Sequence, residues 1–224
     1  MSVPDRPRRA VLEPRTRGRV ALAAAFGAIV WLWGSPALWP LSVAVVFAHE
    51  ASHALMTLLT GGHVLQLRLG LDEGGETLSE GGIRFLILNA GYLGSLLFGI
   101  GLLRLVTRSR AVCASLGLMS LAVAVVWMPW ISFGFVWTLI WGTFLTWAGV
   151  RASPWVAASV VRLYGVYSVL YAFGDIRADV FGAPDGAVTD ASMLAGLTGV
   201  PAMAWGAGWL VLGGMAVWAN RKKI

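Results

Sequence analysis

Long apolar runs constrain this chain more than any other feature. Most of them are close to the roughly 20 residues that cross a bilayer as a helix. Inside lipid each backbone group must bond within its own segment, so such runs predict helices. The chain is 58% hydrophobic and 12% charged, whereas soluble domains are nearer 45–50% and about 25%. The seven candidate spans are Val20–Trp33, Leu41–Leu59, Phe85–Leu103, Ala111–Trp127, Ile131–Val150, Trp155–Phe173 and Val200–Ala219. The sequence predicts an all-α polytopic membrane protein, a bundle of about six or seven transmembrane helices.

The basic residues flank these runs, as cytoplasmic anchors do. They cluster in the N-terminal tail 1–19, at Arg104–Arg110 and at Arg221–Lys223. If both termini are cytoplasmic, the short run Val20–Trp33 does not fully cross and six spans remain. The net charge of +6 does not indicate a nucleic acid partner, because the basic residues are not interleaved with aromatic ones; membrane lipid is the expected contact. We predict a single integral membrane domain over residues 1–224.

Two connecting segments carry signals of their own. In the β-loop 63–80, leucines alternate with polar residues from Leu65 to Leu71, which predicts a strand. Asp72–Gly75 has turn composition, and the chain can return as a second strand, giving a short β-hairpin-like loop. The acidic loop 174–199 holds four of the six aspartates and reads as irregular, because Gly182, Pro184 and Gly186 interrupt it.

One apolar run contains the sequence His49-Glu50-Ala51-Ser52-His53. On a helix, residues four apart lie on one face, so the two imidazoles can share one Zn²⁺ ion. Glu50 lies on the flank of that face, where it can accept a proton from a water activated by the metal. Ionisable groups within a membrane span are costly and mark function. We predict a zinc site with His49 and His53 as ligands and Glu50 as the catalytic base.

A catalytic zinc ion usually has three protein ligands, so a third ligand must come from elsewhere. His63 is a local candidate, but it follows two glycines and fits a loop better. Asp175, Asp179 and Asp190 are the stronger candidates, because carboxylate oxygen is an accepted zinc ligand. Asp175 lies deepest on the hydropathy pattern and is favoured, with Asp179 or Asp190 as the alternative. Asp190 also fits a helix N-cap.

The run that begins at Phe85 contains polar and small residues in addition to apolar ones. Its small residues permit close helix packing. Asn89 and Ser95 are predicted to contact substrate, either its backbone or the developing oxyanion. The small residues of this run are Gly91, Gly94, Ser95, Gly99 and Gly101.

A membrane-embedded HEASH followed by a glycine pair, a hairpin-like loop and a glycine-rich span resembles the site-2 protease family of intramembrane zinc metalloproteases. The chain is most similar to the small bacterial branch, the peptidase M50B-like proteins. The resemblance implies that His49 and His53 are zinc ligands and that Glu50 is the catalytic base. It also implies that residues 63–78 form a re-entrant β-loop that presents substrate as an extended strand.

The resemblance further implies that the third ligand is a distant aspartate from a later span, which Asp175 matches. Gly91–Ser95 is similar to the family's glycine motif, with Tyr92 in place of proline and Ser95 in place of asparagine. The Asn-Pro-x-x-x-x-Asp-Gly pattern of larger members is missing.

These features predict an intramembrane zinc metalloprotease that hydrolyses peptide bonds of membrane-embedded protein substrates. Its partner is a transmembrane protein, and its expected location is the plasma membrane of a bacterial cell. The alternative is a non-proteolytic zinc-binding membrane protein of the same fold, a scaffold or a zinc-handling protein. A transporter predicts ionisable groups in several spans, and Arg162 is the main example outside the HEASH run.

Overall fold

The computed structural model describes residues 14–182 and 187–222. Within these ranges it contains eight α-helices and one hairpin of two strands. The elements are α1 (Pro14–Trp31), α2 (Trp39–Leu59), β1 (His63–Leu69), β2 (Gly75–Glu80), α3 (Arg84–Arg104), α4 (Ser109–Trp127), α5 (Phe133–Val150), α6 (Pro154–Phe181), α7 (Asp190–Thr198) and α8 (Ala202–Asn220). Short 3₁₀ turns precede α2 at Pro36–Leu38 and α4 at Val106–Arg108.

Six of the described helices are long and apolar enough to cross a membrane: α2 to α6 and α8. This confirms the predicted polytopic bundle, an integral membrane protein. The apolar part of α1, Gly18–Trp31, is too short to count among them, in agreement with the six-span interpretation. Residues 1–13 of the predicted basic tail lie outside the described residues, and its remainder forms the start of α1.

The hairpin confirms the predicted β-loop, with one irregularity. β1 and β2 pair antiparallel from His63 opposite Glu80 to Leu69 opposite Gly75, and a register shift falls between Val64 and Gln66. This shift leaves Leu65 more than half exposed, while the later leucines of β1 are buried. The hairpin packs against α2, and β1 also contacts α4 and α5.

The predicted close approach of small residues occurs along most of α3. A Cβ atom at Gly94 would collide with Ser52 of α2, and one at Gly99 would collide with the backbone of Gly165 in α6. Gly101 faces open space. Among the six candidate spans α2 is the most enclosed and α8 the least, so the HEASH sequence lies on the helix with the most neighbours.

The segment predicted as an acidic loop, 174–199, is largely helical. α6 continues to Phe181, and α7 begins at Asp190, so the irregular part is confined to the connection between them. α7 forms because Thr189 and Ser192 make a capping box at its start, and Gly199 ends it with a positive φ of 73°.

Candidate metal centre

His49 and His53 lie on one face of α2, as their spacing predicts. Their ring centroids are 4.8 Å apart. The Nδ1 atom of His53 lies 2.7 Å from the carbonyl oxygen of Ile87 in α3. This contact fixes the ring orientation and leaves Nε2 as the nitrogen that can bind a metal. Tyr92 packs its ring edge-on against His49, at a centroid distance of 4.8 Å.

Asp190 meets both imidazoles. Its Oδ2 atom lies 3.2 Å from Nε2 of His49 and 3.1 Å from Nε2 of His53. It is the first residue of α7 and is buried, because Ala191 and Leu194 anchor this short helix against α3 and α8. Among the described residues, Asp190 is the only carboxylate that forms an ion pair with a histidine.

The donor set and its spacing fit a zinc ion. Two ligand atoms at 2.0–2.1 Å from a tetrahedral zinc ion are roughly 3.3 Å apart, close to the separation of Asp190 from each imidazole nitrogen. Two imidazoles and a carboxylate are one of the ligand sets of catalytic zinc. Gly91 of α3 faces the same space, and a Cβ atom there would collide with Nε2 of both histidines. The absence of a side chain at position 91 therefore keeps this space open.

Glu50 lies beside the histidines and is buried, with 6% of its surface exposed. His49, Glu50 and His53 each offer a ligand atom within 4.8 Å of the others. Glu50 does not need to be a ligand, because Asp190 occupies the third position and Thr77 of β2 holds the Glu50 carboxylate at 2.7 Å. Both groups line a cavity of about 930 Å³ between α2, β2, α3, α6 and α7.

The structure separates the three candidate aspartates. Asp175, the favoured third ligand in the sequence prediction, lines the cavity with Asp179 but pairs with neither histidine. Asp179 accepts a hydrogen bond from the hydroxyl of Tyr92. Hydropathy favoured Asp175 because of its depth in the span. That criterion misses Asp190, whose short helix packs onto the bundle from outside the membrane-spanning runs.

The other candidates have packing roles or lie elsewhere. Asn89 accepts a hydrogen bond from the indole of Trp209 in α8 and donates one to its own helix at Phe85. Ser95 is 1% exposed and donates to the carbonyl oxygen of Tyr92. Neither lines the cavity, so the structure gives both residues contacts within the bundle instead of at a substrate site. His63 is exposed at the start of β1.

Asp190 is an anion at neutral pH, as a metal ligand must be. Burial by itself would raise its pKa, but the hydrogen bonds and charges of His49 and His53 outweigh burial and lower its pKa to about 2. Since a folded-state pKa below the ordinary value stabilises the fold at higher pH, this interaction is present above about pH 4 and is lost as the pH falls through about 2.

Comparison with known proteins identifies the family. A family model described as Peptidase M50B-like matches residues 22–220, almost the whole chain. The chain belongs to the Peptidase M50B-like family. This result confirms the resemblance to the site-2 protease family and, at the level of the family, a membrane metallopeptidase with zinc as its metal. No curated protein and no solved structure matches the chain significantly.

Among the residues of this Peptidase M50B-like protein, sequence reasoning missed one that contacts Glu50. Thr77 was assigned only to the return strand of the hairpin, yet its hydroxyl reaches the Glu50 carboxylate. The two residues are 27 positions apart and belong to different elements. No local pattern in the sequence links them.

Proposed function

We propose that the protein is an intramembrane zinc metalloprotease that cleaves membrane-embedded protein substrates. The observation that carries this proposal is the convergence of His49, His53 and Asp190 beside the buried Glu50, on a helix long and apolar enough to cross a membrane. Such a cluster is costly within lipid, and no stabilising role requires it. We further propose the plasma membrane of a bacterial cell as its location, as the likeness to small bacterial members implies.

In this proposal His49, His53 and Asp190 hold the zinc ion. When bound, zinc supplies Lewis-acid chemistry: it polarises the scissile carbonyl and lowers the pKa of water. Glu50 is not a ligand but the general base. It accepts a proton from the attacking water and passes it to the leaving amine. Burial of Glu50 in a cavity with few competing donors keeps this transfer local.

The hairpin supports a mode of substrate binding. β2 pairs with β1 on one side only, and residues 74–79 line the cavity beside the histidines. A substrate segment can add to the free edge of β2 as a strand, which exposes the peptide bond that a helix would protect. A transmembrane substrate must therefore unwind locally before it is cut.

Substitution of Glu50 by glutamine tests the proposal, because glutamine keeps the shape of the side chain but cannot take the proton. Membranes from cells that produce the wild type are compared with membranes containing Glu50→Gln by labelling new protein N-termini for mass spectrometry. We expect new termini within transmembrane segments only with the wild type, and equal zinc content in both purified proteins. Zinc in both proteins with no Glu50-dependent terminus would favour the non-proteolytic zinc-binding alternative.

A further inference from the structure

We propose that Thr77 is a positioning residue that holds the Glu50 carboxylate in its reactive orientation, an inference that rests on the proposed function. The hydroxyl of Thr77 lies 2.7 Å from Oε2 of Glu50 and 3.0 Å from the Glu50 carbonyl oxygen. A hydroxyl has one proton, and the shorter contact, with the charged acceptor, is the stronger. Thr77 thus donates to the carboxylate and leaves the other carboxylate oxygen for proton transfer.

The register of the hairpin places Thr77 at this position. Thr77 lies opposite Leu67, and Gly75 lies opposite Leu69. Directly opposite residues of an antiparallel pair share one face of the sheet. Since Leu67 and Leu69 are buried in the core, Thr77 and Gly75 are on the buried face as well.

Gly75 completes the restraint on Glu50. A Cβ atom at position 75 would lie 2.6 Å from Oε1 of Glu50 and 2.8 Å from a methyl group of Val46. β2 therefore contacts Glu50 twice, by a hydroxyl donor at position 77 and by bare backbone at position 75. The next residues on this strand, Glu76 and Leu78, lie on the opposite face because side chains alternate along a strand.

Glu50 needs such a restraint because glutamate has several rotatable bonds, and misplacement of a catalytic group by about 1 Å can cost about 100-fold in rate. The histidines are held by Ile87 and by each other's neighbourhood on α2. Among the hydrogen bonds of the described residues, Thr77 provides the only side-chain donor to the Glu50 carboxylate.

The experiment compares Thr77→Val, Thr77→Ser and Thr77→Ala with the wild type in liposomes, using an internally quenched single-span transmembrane peptide as probe. We expect Thr77→Val and Thr77→Ala to keep zinc and KM but to lose roughly 10- to 100-fold in kcat. Thr77→Ser keeps the donor and should remain within about threefold of the wild type. Thr138→Val is the matched control, because Thr138 is buried in α5 with a hydroxyl that has no partner among the described residues.

A second readout does not depend on cleavage. The infrared carboxylate band that disappears in Glu50→Gln should shift in Thr77→Val and return toward its wild-type position in Thr77→Ser, because loss of a hydrogen-bond donor changes the carboxylate stretch. A band that is unmoved in Thr77→Val, or an unchanged kcat in an active protein, overturns the role of Thr77. If the wild type cuts no probe yet the band shifts, the contact stands and the proposed protease function fails.

Discussion

A single carboxylate, delivered from far along the chain, completes the metal centre. Asp190 is separated from His49 by 141 positions and bridges both imidazoles. Removing it in Asp190→Ala takes away the third donor, so we expect zinc affinity to fall by more than about 100-fold, beyond the loss typical of outer-shell changes. Metal content and competition with a chelator measure this effect.

Asp175→Ala is the matched control for that substitution. Asp175 lines the same cavity without touching the histidines, so its removal should leave zinc affinity within a few-fold of the wild type. Retention of zinc in Asp190→Ala together with its loss in Asp175→Ala would reverse the assignment. At this scale the sequence predicted the histidine pair and Glu50, because one turn of helix links them. The third ligand depends on how α7 docks, which hydropathy does not encode.

The element that delivers Asp190 is the short helix α7, whose start is set by its capping box. Thr189 accepts a hydrogen bond from Ser192 N, and the Thr189 N–H donates to the Ser192 hydroxyl. Loss of an N-cap costs about 1 kcal/mol, and because Asp190 is the next residue, this cost falls on metal binding. We expect Thr189→Ala to weaken zinc affinity about fivefold and to speed hydrogen exchange in α7.

Thr189→Ser should restore both properties, because it keeps the cap. Ser132→Ala, which removes the cap of α5 at Phe135, should leave zinc affinity unchanged. Equal affinities in Thr189→Ala and the wild type would show that α7 docks independently of its cap. The long helices and the hairpin were predictable because their apolar periods are local. α7 was not, because glycine and proline around residues 182–186 indicated a loop and masked the Thr189–Ser192 signal.

Over the whole molecule, the distribution of charge is uneven in a way that composition hides. The chain carries a net charge of +6, with its basic residues concentrated at helix ends. The described residues that line the cavity include six carboxylates and one arginine, Arg84. These carboxylates come from α2, the hairpin, α6 and α7, so only the assembled fold shows that the centre of a basic protein is acidic.

An acidic cavity should concentrate cations and repel anions, and cysteine labelling measures this directly. The native Cys113 is 1% exposed, so a single cysteine introduced by Ser79→Cys, on the cavity wall, should dominate the reaction. We expect a cationic methanethiosulfonate to react there at least about tenfold faster than an anionic one at low salt. Thr107→Cys, exposed between Arg104 and Arg108, is the control and should prefer the anionic reagent. Molar salt shortens the Debye length to about 3 Å, so the preference at Thr107→Cys should vanish, whereas the preference at Ser79→Cys should persist in part because buried charges are screened less. The same reagent preference at both sites would mean that the field belongs to the reagent or the membrane, and that the six carboxylates do not control access to the metal centre.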